Sequence, residues 1–173
     1  KQIDNSTNVG NQDGSTSTDF QSKAVATPYL DALNVSNTLA DVSSYYYNTD
    51  LRSSMKNDVP KSTSDQADHQ HMVTFTMGLG VDGALDYSSD YLTGSSADYN
   101  AILQGTKNWG DPISNSTDAR IDDLWHAAVN GRGQYFSAKN PSTVTKSLND
   151  AWKGIAAATG SGASAATSNL EPV

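Results

Sequence analysis

Oxygen donors are the chemistry this sequence offers most freely. Of its 19 acidic residues 18 are Asp, and the only Glu is Glu171. Asp favours caps, turns and oxygen-ligated cations, whereas Glu favours helix interiors. Three groups bring such donors together and suggest calcium: Asp4-Asn5, Asn11-Gln-Asp13-Gly14, and the series Asp82, Asp86 and Asp90. Asp82 and Asp86 are the preferred ligands among them. None of the three groups has the dense ligand order of a calcium loop with its closing Glu. Turn formation in Gly-rich loops is the simpler role for these side chains.

Nitrogen ligands are fewer. His69 and His71 flank Gln70, so alternation can put both rings on one face toward a metal. No third ligand is evident, and a structural pair explains them with less. His126 stands beside Trp125 and near Asp122 and Asp123, but no Gly-x-Ser-x-Gly elbow or other nucleophile accompanies it. A packed or capping His fits that context better than a hydrolytic one. Asn130-Gly-Arg-Gly133 lacks the Walker pattern and follows a helix instead of opening one, so it is expected to turn the chain from helix into strand. Tyr45-Tyr46-Tyr47 offers an adhesive aromatic surface, yet three consecutive helical residues point in different directions and at least one belongs in the core.

Several elements must position these residues. Residues 1–28 carry almost no apolar periodicity and read as a polar loop or extended lead-in. A helix is expected over about 36–52, capped by Ser36 or Asn37 with Asp41 in its first turns. Met72–Gly80 is β-branched, aromatic and stopped by Gly, which predicts a strand covered on both faces, as in a parallel sheet. A short helix is expected around 97–105 and a second over 121–130. A strand at 134–138 follows, then an amphipathic helix over 141–158 opened by Asn140 and Pro141. Residues 159–173 read as a low-complexity linker. Alternating helices and strands argue for an α/β layer fold. Two short parallel strands make no stable sheet alone, so the central strands are expected upstream of Lys1.

Composition excludes whole classes. The 173 residues carry a net charge of −8 with no Cys, and mean hydropathy is −0.55. An acidic protein lacks the Lys/Arg patch that nucleic-acid binding requires. The absence of Cys removes disulfide scaffolds, thiolate zinc sites and thiol nucleophiles. No apolar run approaches the roughly 20 residues of a membrane span.

The blocks NTLADVSSYYYNTDLR, NDVP and QHMVTFTMGLGVDGALDY, followed by IDDLWHAAVNGRGQYFSAKNP and LNDAWKGIAAA, resemble in order the von Willebrand factor A-like region of type IV pilus tip proteins, the PilY/PilC-type biogenesis factors and adhesins. The resemblance covers roughly residues 8–158. It implies a Rossmann-like A-domain with a parallel sheet flanked by helices, a propeller-like domain beyond it, and 29–158 as the C-terminal part of the A-domain. It also implies a divalent cation, Mg²⁺ or Ca²⁺, held by an Asp-x-Ser-x-Ser loop. Asp13, Ser15 and Ser17 match that spacing, but no buried apolar strand precedes them, so the main metal site is expected outside this chain. The implied protein is exported to the cell surface and is no enzyme. Its implied partners are the minor pilins of the pilus tip complex and a host or surface ligand. A secreted metal-dependent hydrolase on the same scaffold, or a structural spacer of an extracellular filament, are the alternatives.

Overall fold

Thr38 and Asp41 start the first helix, α1 (Leu39–Asn48), with a reciprocal capping box: the Thr38 hydroxyl accepts from the Asp41 amide, and the Asp41 carboxylate accepts from the Thr38 amide. The cap is therefore neither Ser36 nor Asn37. Asn37 sits at φ 65, in the left-handed region, where its side chain instead receives the Gly10 amide at 3.0 Å. Two further N–H groups at the start of α1 are satisfied from another helix, because Asp123 accepts from Leu39 at 2.9 Å and from Ala40 at 3.0 Å. The computed structural model describes residues 1–3, 6–94, 96–114, 116–138, 144–146, 148–150, 152–153 and 156. Asp4-Asn5 and the linker 159–173 lie outside the described residues. So do parts of the helix expected over 141–158, although its described residues are helical.

The strand β1 (Thr74–Leu79) pairs in parallel with β2 (Arg132–Ala138), with Thr76 opposite Tyr135 and Leu79 opposite Ala138. Between them in sequence come a 3₁₀ turn (Tyr91–Thr93), α2 (Ala97–Leu103) and α3 (Thr117–Asn130). α3 begins four residues before the expected start because Ser116 caps it through the Ala119 amide. It packs on both strands and on α1, giving an α/β arrangement of helix on helix on sheet. β1 is less covered than its composition predicts: Leu79 is 61% exposed, and Met72 and Val73 beside the strand are also exposed. Among the described residues β1 has a strand neighbour on one edge only.

The core is aromatic. Trp125 of α3 is 1% exposed and stacks on Tyr99 at 5.8 Å between ring centres, while Trp109 meets it edge-on at 5.6 Å. Tyr91, Tyr135, Ile102, Leu85, Ala128 and Val129 complete the cluster. Rings of this size bury about 150–250 Å² each and dominate the energetics of such a core.

The α3–β2 junction brings a glycine closest to another backbone atom. A Cβ on Gly133 would stand 2.1 Å from the Thr74 carbonyl oxygen, and one on Gly131 2.5 Å from the Ser43 hydroxyl and the Thr74 Cβ. Gly133→Ala is expected to cost about 2–4 kcal/mol, because backbone must move. Gly94→Ala, at φ 99 in open space, should cost only about 1 kcal/mol. Urea unfolding of both variants checks this, and equal losses would refute the close-approach account.

Candidate functional site

Two features carry unusual chemistry, and they share the junction between α3 and β2. The first is a cleft of about 500 Å³ beside the start of β2. Its wall is built by the loop 19–21, Tyr29, Tyr47 of α1, the segment 60–66, and Phe75 and Gln134 of the two strands. Arg132 projects between two rings, 3.5 Å from the Tyr29 centre and 4.2 Å from that of Tyr47. Its Nη1 donates to the Asn130 carbonyl at 2.8 Å and to that of Val129 at 3.4 Å, so it also closes the C-terminus of α3. Next to it the Tyr47 hydroxyl donates to Asp65 at 3.0 Å, and the second Asp65 oxygen lies 2.9 Å from His71 Nε2. Burial pushes the Tyr47 phenol up to about 12, so it stays a donor at any ordinary pH. His71 Nδ1 faces the His69 carbonyl and His69 Nε2 faces the Tyr47 carbonyl, which ties the 60–71 segment to the end of α1.

The second feature is a buried acid junction behind the cleft. Asp13, Asp31 and Asp41 are 1%, 4% and 0% exposed. Asp31 accepts from the Leu33 and Val35 amides, and Asp41 from those of Gln12 and Thr38. Asp13 accepts only the Asn130 amide, at 2.6 Å, and its other oxygen has no hydrogen-bond partner among the described residues. Burial, then the neighbouring charges of Asp41 and Asp31, push the Asp13 carboxyl up to about 9, against the opposing Asn130 bond. At neutral pH it is therefore a neutral acid. His126 Nε2 lies 3.7 Å from Asp13 but points its hydrogen bond at the Tyr29 carbonyl, 3.0 Å away. Its ring stacks on Trp109 at 4.6 Å, and burial holds it down at about 3, so it packs as a neutral His.

The residues singled out by spacing stand in different settings. Asp82 and Asp86 lie in the exposed loop after β1, far from this junction in the chain. The Asp86 amide donates to Asp98 and its carbonyl accepts from Ser96. Asp13 is buried, while Ser15 is exposed and bonded to Asn34. Among the described residues no three His, Asp or Glu side chains gather as a metal cluster. His69 and His71 do stand together, with ring centres 5.3 Å apart, and join Asp65 and Tyr47 in the structural network described above. Of the three consecutive tyrosines Tyr47 is buried, while Tyr45 and Tyr46 are half-buried and meet edge-on.

No protein-family model matches the chain, and no solved structure matches it. Curated sequences do. The type IV pilus biogenesis factor PilY1 of Pseudomonas aeruginosa strain UCBPP-PA14 is 37% identical over 70% of this chain and 12% of its own length. PilY1 of strain PAK is 36% identical over 84% of this chain and 14% of its own length. The chain is a homologue of PilY1. It spans only 12–14% of the length of the PilY1 sequences it matches, so it corresponds to one segment of them. No helix among the described residues of this PilY1 homologue is long and apolar enough to cross a membrane.

The cleft of this PilY1 homologue was missed by spacing arguments because its residues come from many separate stretches of the chain, between Asp19 and Gln134. One local signal existed: an Arg between two glycines, where a turn alone would be served by glycine throughout. The acid junction yields a pH prediction. Asp13 binds a proton when folded but not when unfolded between about pH 4 and 9, so stability falls as pH rises through that window. From pH 7 to 8.5, above the Asp122 carboxyl that burial raises to about 6, the slope should approach one proton, up to about 1.4 kcal/mol per pH unit. Asp13→Asn should flatten it in urea melts across that range. An unchanged slope would show that Asp13 is already ionised in the fold.

Proposed function

We propose that this chain is one segment of a type IV pilus biogenesis factor, acting at the cell surface in pilus assembly and in adhesion or surface sensing without enzymatic chemistry. The observation that carries the proposal is 35–37% identity to PilY1 sequences across 70–84% of the chain. Physical features agree with it. A net charge of −8 keeps a Ser/Thr/Asn-rich exterior soluble outside a cell, and the buried ionisable groups are held by structural bonds instead of facing a substrate. Minor pilins of the tip complex and a surface ligand are the partners this function calls for.

The same proposal covers the architecture. The segment is the C-terminal part of a von Willebrand factor A-like domain, with 29–158 inside it and 159–173 as a linker. Further parallel strands of that domain pair with the second edge of β1. Support comes from the parallel β1–β2 pair and from the exposed Leu79, Met72 and Val73 around an edge that has no strand partner among the described residues.

An in-frame deletion of this segment from the full-length gene tests the function, with surface pili counted by electron microscopy and adhesion scored on the remaining piliated cells. Loss of surface pili, or of adhesion with pili retained, is the expected result. A deletion strain that assembles pili and adheres like its parent would make the segment a dispensable spacer.

A further inference from the structure

Arg132 is held in a way that its structural bonds do not account for. Its φ is 58, in the left-handed region that side chains avoid, while Gly131 at one side has φ −84. Of the three residues Gly131-Arg132-Gly133, the one with positive φ is the one that is not glycine. A helix-closing turn is served more cheaply by glycine there, so the side chain has a use that offsets the backbone cost.

The guanidinium geometry indicates that use. Only Nη1 is bonded, to two main-chain carbonyls, and Nε and Nη2 have no partner among the described residues. The Nε–Nη2 edge is the side of an Arg that takes a carboxylate through two parallel hydrogen bonds. Tyr29 and Tyr47 lie against its faces and hold it in place. No described carboxylate pairs with it, although acidic residues outnumber basic ones by 19 to 11. The two acids that line the cleft are engaged elsewhere: Asp65 by Tyr47 and His71, Asp19 by the Gln21 and Lys23 amides. The lining also includes the rings of Phe20 and Tyr99, the hydroxyl and amide groups of Ser62, Ser64 and Gln66, and apolar side chains such as Val73 and Leu92.

We propose that this cleft binds an acidic sugar of the hexuronate type, its carboxylate on the Nε–Nη2 edge of Arg132, its ring face on the aromatic wall and its hydroxyls on the 62–66 segment. A volume of about 500 Å³ accommodates one or two sugar rings, within the range of small-molecule sites. The inference uses only the cleft and stands apart from the pilus assignment.

The test is titration of the full-length protein with glucuronate, glucose and a short peptide with a free C-terminal carboxylate, read by saturation-transfer NMR. Glucuronate should bind at least about tenfold more tightly than glucose, since only it engages the guanidinium. Arg132→Gln should remove that preference. Gln66→Glu, an exposed change on the cleft wall that leaves the α3–β2 junction untouched, should weaken glucuronate severalfold more than it weakens glucose, because only glucuronate meets the added carboxylate with its own charge. The proposal is overturned by absence of glucuronate binding, by equal binding of glucose, by tighter binding of the peptide, or by a folded Arg132→Gln protein that binds glucuronate unchanged.

Discussion

Everything near the cleft depends on how closely α3 hands the chain to β2 across Thr74. The backbone at Gly131 and Gly133 passes so near β1 and α1 that a single Cβ at either place would overlap Thr74. That approach lets β2 pair in parallel with β1 directly after a helix, a connection that otherwise needs several loop residues. It also leaves Arg132 as the one position in the turn where a side chain fits, and fixes the direction in which it leaves. The fold and the cleft thus answer to the same steric constraint.

The Asp excess has a structural meaning that composition alone does not disclose. Asp123 caps α1 from α3, Asp122 receives the Ala84 and Leu85 amides, Asp31 holds the turn at 33–35, and Asp41 joins Gln12 to its own helix. In each case a short carboxylate satisfies backbone N–H groups that irregular segments leave unpaired. Glu would place the same oxygens one methylene farther out and at greater entropic cost. The contact at Gly83 shows how close these clamps lie: a Cβ there would stand 1.8 Å from an Asp122 oxygen. Among the described residues, long loops around a two-strand sheet are stitched together by carboxylates.

Much of the fold was legible in the sequence for local reasons. α3 and β2 announce themselves through the Ile121, Leu124, Trp125, Ala128 face and the Gly stop, and β1 through its β-branched run. The errors were also physical. α1 starts at Thr38 because Asp41 completes a capping box there, and α3 starts early because Ser116 can reach the Ala119 amide. Both depend on side-chain geometry that apolar periodicity ignores. The site was less legible. Asp13 reads as a loop residue, yet it is buried because Asn130, 117 positions away, receives it. Asp82 and Asp86 stand on the exposed loop after β1, the turn-rich setting that their neighbours in the sequence already indicated.

The acid junction and the arginine cleft are two halves of one electrostatic arrangement. Asn130, the last residue of α3, links the two, its side chain donating to Asp13 and its carbonyl accepting from Arg132. An Arg at a helix C-terminus is favoured by the helix dipole, and here the main-chain carbonyls use only one of its nitrogens. Had Asp13 been ionised and able to reach the guanidinium, it would have consumed that charge as a buried ion pair of doubtful benefit. Burial instead pushes the Asp13 carboxyl up to about 9, and the Asn130 amide donates a hydrogen bond to it. The Arg132 guanidinium lines the cleft, held against two tyrosine rings. In an acidic protein the scarce resource is an unpaired cation, and this arrangement preserves one.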